Sequence, residues 1–163
     1  MKILFEREPI TQLEMEVANL LDENKRTVEI KSIASKADHA LQLGQDVAIY
    51  TSRNLVASAD PNQSLLIGQQ ISSGVIEVLK RIQIQPRYLL AKGGITSHDV
   101  ATKGMGVQRA MVLGQICQSI SVWQFGPETR YPGLAYIVFP GNVGEPEDLA
   151  DLIRKLRLVP MDH

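Results

Sequence analysis

Two stretches of the chain place glycines where a β-prone apolar run gives way to a helix start. The first is Leu89-Leu-Ala-Lys-Gly-Gly-Ile-Thr-Ser-His-Asp99, the second Ile137-Val-Phe-Pro-Gly-Asn-Val-Gly-Glu145. Gly93 and Gly94 let the backbone approach a ligand closely, or take positive φ, without a Cβ clash. Thr96 or Ser97 is placed to cap the helix that follows, and Thr96 with Asp99 has the spacing of a capping box. The N–H groups of a first helical turn attract anions with help from the helix dipole, and phosphate is the natural guest. Gly141, Asn142 and Gly144 repeat this grammar. If the two strands run parallel, both loops lie at their carboxyl ends, where open α/β sheets bind ligands. Neither loop reads G-x-x-x-x-G-K-[ST] or G-x-G-x-x-G. Gly-Gly after a strand is also an ordinary tight turn, so both readings stand on spacing alone. Thr51-Ser52-Arg53, after another β-prone run, offers hydroxyls and a cation.

Other chemical groups are less organised. Ser97-His98-Asp99 contains the letters of a hydrolytic triad, but adjacent residues on a helix do not face one another. His39, His98 and His163 show no metal-binding spacing, and no metal site is expected from side chains. Cys117 has no evident base partner and reads as a packed or half-exposed thiol. Trp123 reads as core or interface, and Arg130-Tyr131-Pro132 as surface loop. The acidic residues from Glu145 to Asp151 favour the start of the last helix, with Mg²⁺ near phosphates as the alternative use.

The elements that must position these loops follow from periodicity. Leu13, Val17, Leu20 and Leu21 share a helical face over Gln12–Asp22, and Thr27–Lys31 is a short β-prone run. Ser32 is placed to cap a helix carrying Ile33, Ala37, Ala40 and Leu41 and ending near Gly44. Val47–Tyr50 reads as a strand buried on both faces. The longest helix is expected over Asn62–Ile82, with Ile67, Ile71, Val75, Val78, Leu79 and Ile82 forming its apolar stripe. Arg87–Ala91 is a strand, followed by the Gly-Gly loop and a short helix stopping at Gly104 or Gly106. Arg109–Leu113, Ser121–Phe125 and Leu134–Phe139 are three strands with connections too short for parallel crossovers, so some must pair antiparallel. Glu147–Leu156 closes the chain as a helix. The sum is a single domain over residues 1–163, a three-layer α/β/α arrangement around a mixed, mainly parallel sheet.

Composition limits the partners. With 44% hydrophobic and 21% charged residues over 163 positions, the chain can bury a real core. The formal net charge of -1 supplies no basic field for nucleic acid. No run approaches the ~18 apolar residues of a membrane span, and Met1–Glu6 carries too short an apolar run for a signal peptide. One cysteine excludes an intramolecular disulfide, which fits a reducing, cytoplasmic setting.

The ordered series Ala91–Ala101, Val112-Leu-Gly-Gln115 and Phe139–Gly144 resembles the nucleotide-binding C-terminal domain of the four-carbon acid sugar kinases. Val47–Arg53 and the helix containing Ile67-Gly68 fit the same domain, and the similarity runs from about Thr11 to Leu156. The resemblance implies ATP and Mg²⁺ as cofactors, and phosphoryl transfer to a terminal hydroxyl of a sugar acid such as threonate, erythronate or a 3-oxo derivative. It places the phosphates at Gly93, Gly94, Ile95, Thr96 and Ser97 and at Gly141, Asn142 and Gly144. Many family members carry an acidic residue where this chain has Ile95. The family's substrate domain is not recognisable in Met1–Ile10, so the resemblance implies a fragment, a truncated gene product or a subunit of a split enzyme with a separate substrate-domain chain as partner, inactive alone in each case. The competing expectation is a non-catalytic assembly or regulatory module, self-associating as a homo-oligomer.

Overall fold

The computed structural model describes residues 2–52, 61–141, 145 and 147–158. They pack as two compact units, one of Thr11–Gln85 and one of Met1–Ile10 with Pro86–His163.

In the Thr11–Gln85 unit, β1 (Thr11–Met15) pairs parallel with β2 (Val47–Thr51). Between them lie α2 (Val17–Leu21) and α3 (Glu23–Gln42), and α4 (Pro61–Arg81) follows. The helix expected over Gln12–Asp22 is therefore a strand and a short helix. Leu13 and Met15 alternate at the strand period and are both buried, a pattern that coexists with the helical spacing of Val17, Leu20 and Leu21. The β-prone run Thr27–Lys31 lies inside α3. Asp22, not Ser32, starts that helix, its carboxylate accepting the N–H groups of Asn24 at 2.9 Å and Lys25 at 3.3 Å. Burial of Ile30, Ile33, Ala34 and Ala37 along one face against Leu13, Met15, Val78 and Ile82 overrides local β preference. β2 is half-buried along its length rather than buried on both faces. The Arg26 guanidinium joins the helices, donating to Leu20 O at 2.9 Å and Gln70 O at 3.1 Å and pairing with Glu77 at 2.8 Å.

The second unit is built on a four-stranded mixed sheet. β3 (Tyr88–Lys92), β4 (Ala110–Cys117), β5 (Ile120–Phe125) and β6 (Ala135–Phe139) lie in the order β3-β6-β5-β4. β3 and β6 are parallel, whereas β6, β5 and β4 form an antiparallel meander, as their short connections require. One sheet face carries Ile120, Ile137 and Phe139 into a core with α1 (Lys2–Arg7) and α6 (Asp148–Leu158). The other is met by α5 (Gly94–Asp99), which continues as a π-helical turn over Val100–Gly104. This is the expected α/β class with a mixed sheet. No helix among the described residues is long and apolar enough to cross a membrane.

The segment ahead of Thr11 contributes to this core, with Phe5 and Ile10 packed against it. Leu4 is buried in it, and the Glu8 carboxylate, only 4% exposed, accepts Arg154 Nη2 at 2.8 Å and pairs with Arg157 through its other oxygen. A buried carboxylate persists only with such partners. Replacing Glu8 with Gln should lower unfolding free energy by about 1–3 kcal/mol, since the arginines lose their counter-charge but reach solvent. Urea titration of the variant against the parent reads this directly.

Candidate functional site

The site is assembled at the carboxyl ends of β3 and β6. The parallel register pairs Lys92 with Phe139 as its last rung. One residue beyond, the Gly93 N–H donates to Phe139 O at 2.8 Å. The two glycine loops leave the sheet side by side: a Cβ built on Gly141 would lie 3.4 Å from Gly93 Cα. Gly93 takes φ 99° and ψ 142°, a conformation that L-residues rarely hold. This turn sends the chain from strand into α5. Gly94 opens the helix with ordinary φ, and nothing lies within 4 Å of where its Cβ would be.

The capping expectation is corrected here. Gly93 is the N-cap and no side chain caps the helix, because Thr96 and Ser97 already lie in its first turn and beyond. Ser97 is buried; its hydroxyl donates to Ala91 O at 3.1 Å, and its N–H donates to Gly93 O at 2.8 Å. Both donors serve the loop's shape. Gly94, Ile95 and Thr96 are exposed, and their N–H groups precede any intrahelical acceptor. The Ile95 side chain is 80% exposed. Asn142 and Gly144 lie outside the described residues, as does Arg53. Ser52 is engaged within its own unit, accepting the Val17 N–H at 3.0 Å and donating to Glu16 at 3.0 Å.

Lys92 acts as a clasp between the loops. Its ammonium donates to Pro140 O at 3.3 Å and Gly141 O at 3.2 Å and sits 4.7 Å from the Phe139 ring centre. Beneath α5, the Tyr136 hydroxyl donates to Ser97 O at 2.8 Å. Burial pushes this phenol well above its usual 10.0, against the smaller opposing effect of that hydrogen bond. It therefore stays a donor throughout the neutral range.

Beside Gly94 opens a groove of about 460 Å³ between α5 with its π-helical turn and the sheet. Val112, Trp123 and Val138 form its floor, and the segment Val107–Ala110 borders it. Glu128 shapes that segment, one carboxylate oxygen accepting the N–H groups of Gln108 at 3.2 Å and Arg109 at 3.1 Å. Its carboxyl is held below the usual 4.5, first by its own backbone N–H and then by those of Arg109 and Gln108, with burial opposing.

A family model described as a nucleotide-binding C-terminal domain matches residues 2–149. The chain belongs to this family. The resemblance to the C-terminal domain of the four-carbon acid sugar kinases therefore holds at the level of the domain, and the match begins ahead of Thr11, consistent with the core role of Leu4 and Glu8. No curated protein matches the chain significantly. Among solved structures, a Salmonella typhimurium LT2 protein provisionally described as a tRNA synthase superposes with TM-score 0.67 at 17% identity, over 96% of this chain and 37% of that one. A domain of unknown function from Bordetella bronchiseptica, a domain-swapped dimer with bound citrate, gives 0.62 at 10% identity, over 95% and 36%. At such identities these likenesses speak to the fold. The chain spans little more than a third of either solved protein.

The residue spacing in the sequence marks the two glycine loops but not the groove. Trp123 and Val112 come to its floor through strand register, Val112 opposite Trp123 and Trp123 opposite Tyr136. Only the alternation of β4 and β5 hinted at this shared face.

Two variants separate the roles of the paired glycines. Gly93→Ala should cost about 1–3 kcal/mol through its backbone conformation, whereas Gly94→Ala should leave stability unchanged or raise it by up to about 1 kcal/mol; denaturant titration compares them. For Tyr136, the fold holds the neutral phenol, so its contribution is complete below pH 10.0 and declines as pH rises above it. Tyr136→Phe should accordingly flatten the alkaline fall in stability, followed by thermal melts from pH 8 upward.

Proposed function

We propose that this chain is the ATP-binding domain of a four-carbon acid sugar kinase. The carrying observation is the parallel pairing of β3 with β6, which sets the Gly93-Gly94 loop against the loop begun by Gly141 at one end of the sheet. The open space over Gly94 fits a phosphate, and the N–H groups of Gly94, Ile95 and Thr96 would cradle it. Gly141, Asn142 and Gly144 would form the opposing wall. Ser97 contributes by holding the loop to Ala91 O rather than by touching phosphate.

On this reading the protein's part in γ-phosphoryl transfer is positioning and charge neutralisation. Mg²⁺ would arrive on the nucleotide phosphates and neutralise charge there; one or two carboxylates with phosphate oxygens suffice to hold it. The Lys92 ammonium, held on the carbonyls of the Gly141 loop, adds positive charge beside the cradle. The sugar acid would bind a substrate domain, in the same polypeptide or a separate chain, and a cytoplasmic setting fits such metabolism. One observation favours the second reading, a non-catalytic assembly or regulatory module: the apolar Ile95 side chain stands exposed at a position where the resemblance to the sugar acid kinases implies an acid. The domain-swapped relative gives a precedent for association, with a homo-oligomer as the form expected.

Calorimetric titration with MgATP decides between them. Saturable binding is expected, and Gly94→Val should abolish it while shifting the melting temperature little, because the new side chain enters open space rather than packed core. The isolated chain should show no turnover of threonate or erythronate. Absence of MgATP binding at millimolar concentration, together with a nucleotide-insensitive oligomer on size exclusion, would favour the assembly module.

A further inference from the structure

We infer that the groove beneath α5 seats the base of the bound nucleotide, with Trp123 as its stacking platform. The inference rests on the ATP reading above and assigns the part of the ligand that the glycine loops leave unplaced. Gly94 belongs to both features: it opens the phosphate cradle and lines the mouth of the groove. A nucleotide with phosphates over Gly94 thus has a contiguous cavity for its remainder. At about 460 Å³ this cavity lies within the roughly 300–1,000 Å³ usual for small-molecule sites.

The lining matches a planar heteroaromatic ring carrying a ribose. Val112, Trp123 and Val138 provide an apolar floor on three adjacent strands. Trp123 is half-buried and lies edge-on to Tyr136, ring centres 6.0 Å apart and planes 62° apart. Tyr136 is in turn held by Ser97 O. The indole is therefore oriented by packing before any ligand arrives, and aromatic faces bind bases of any identity by stacking. At the rim, His98 and Gln108 supply groups able to hydrogen-bond a base edge or a ribose hydroxyl. Glu128 fixes the Gln108–Arg109 backbone and so the shape of that rim.

A second cavity has a different lining. It measures about 280 Å³, and among the described residues Cys117, Asp148, Asp151, Arg154, Lys155 and Leu158 line it, with no aromatic ring. Its two carboxylates and two cations offer charge pairing but no stacking surface for a base.

Trp123 is the chain's one tryptophan, so intrinsic fluorescence reports on the groove. Titration with MgATP should change its emission saturably, with the same midpoint as calorimetry. Inorganic tripolyphosphate should compete with MgATP while leaving the emission unchanged. Trp123→Leu should weaken MgATP at least 10-fold and leave tripolyphosphate binding within 2-fold, the latter showing that the variant is folded. Should the variant lose both ligands, the wild-type fluorescence comparison decides alone. MgATP binding with silent tryptophan emission, or an equal emission change with tripolyphosphate, overturns the base assignment and leaves the phosphate cradle standing. Failure of both MgATP and tripolyphosphate to bind overturns the ATP reading, and this inference with it.

Discussion

Everything proposed for this domain depends on the parallel register of β3 with β6. A shift of one residue would turn each side chain of β3 to the other sheet face. It would also move the Gly93 N–H away from Phe139 O and separate the two glycine loops. The register is held from both faces. Ile137 and Phe139 are anchored among α1 and α6, while Tyr136 reaches through the other face to the α5 backbone. The Lys92 clasp then ties the end of one strand to the loop leaving the other. The backbone geometry of the loops thus follows from side-chain packing beneath them.

The meander completes the arrangement by widening the sheet. Parallel pairing alone would end at β6, but β5 and β4 extend the surface facing α5, and α5 with its π-helical turn leaves a groove over those added strands. Ser97 links the two regions: its hydroxyl and N–H fold the glycine loop, and its carbonyl accepts the phenol that orients Trp123. One buried serine thus couples the loop's shape to the groove's floor.

Much of this was legible in the sequence, for definable reasons. Long amphipathic stripes such as that of α4, and short β-prone runs bounded by glycine or proline, identified elements because burial and local preference agreed there. The antiparallel meander followed from connection length alone. Around Leu13 the apolar spacing satisfied two periods at once, and only pairing with β2 selects the strand. Thr27–Lys31 was misread because its β-branched residues are outweighed by the Asp22 cap and the buried face of α3. At the site, glycine spacing was visible, whereas the inward commitment of Ser97 was not, since the contact lies six residues back on the strand. The groove was hidden for a similar reason: its floor residues are distant in sequence and meet only through register.

The Glu8 pairing also has a consequence for how the chain acquires its structure. Glu8 and Arg154 are separated by 146 residues, and the whole Thr11–Gln85 unit lies between them in chain order. During synthesis Glu8 emerges ahead of that unit, yet its carboxylate waits for partners made 146 residues later. Contacts of such long sequence separation slow folding, because loop closure precedes their reward. The Thr11–Gln85 segment carries its own core and a strand–helix–strand crossover, so it can fold earlier while the β3–β6 unit remains open. Assembly of the glycine-loop pair is thereby deferred until β6 has emerged, and sealing of the core beneath it until α6 has followed.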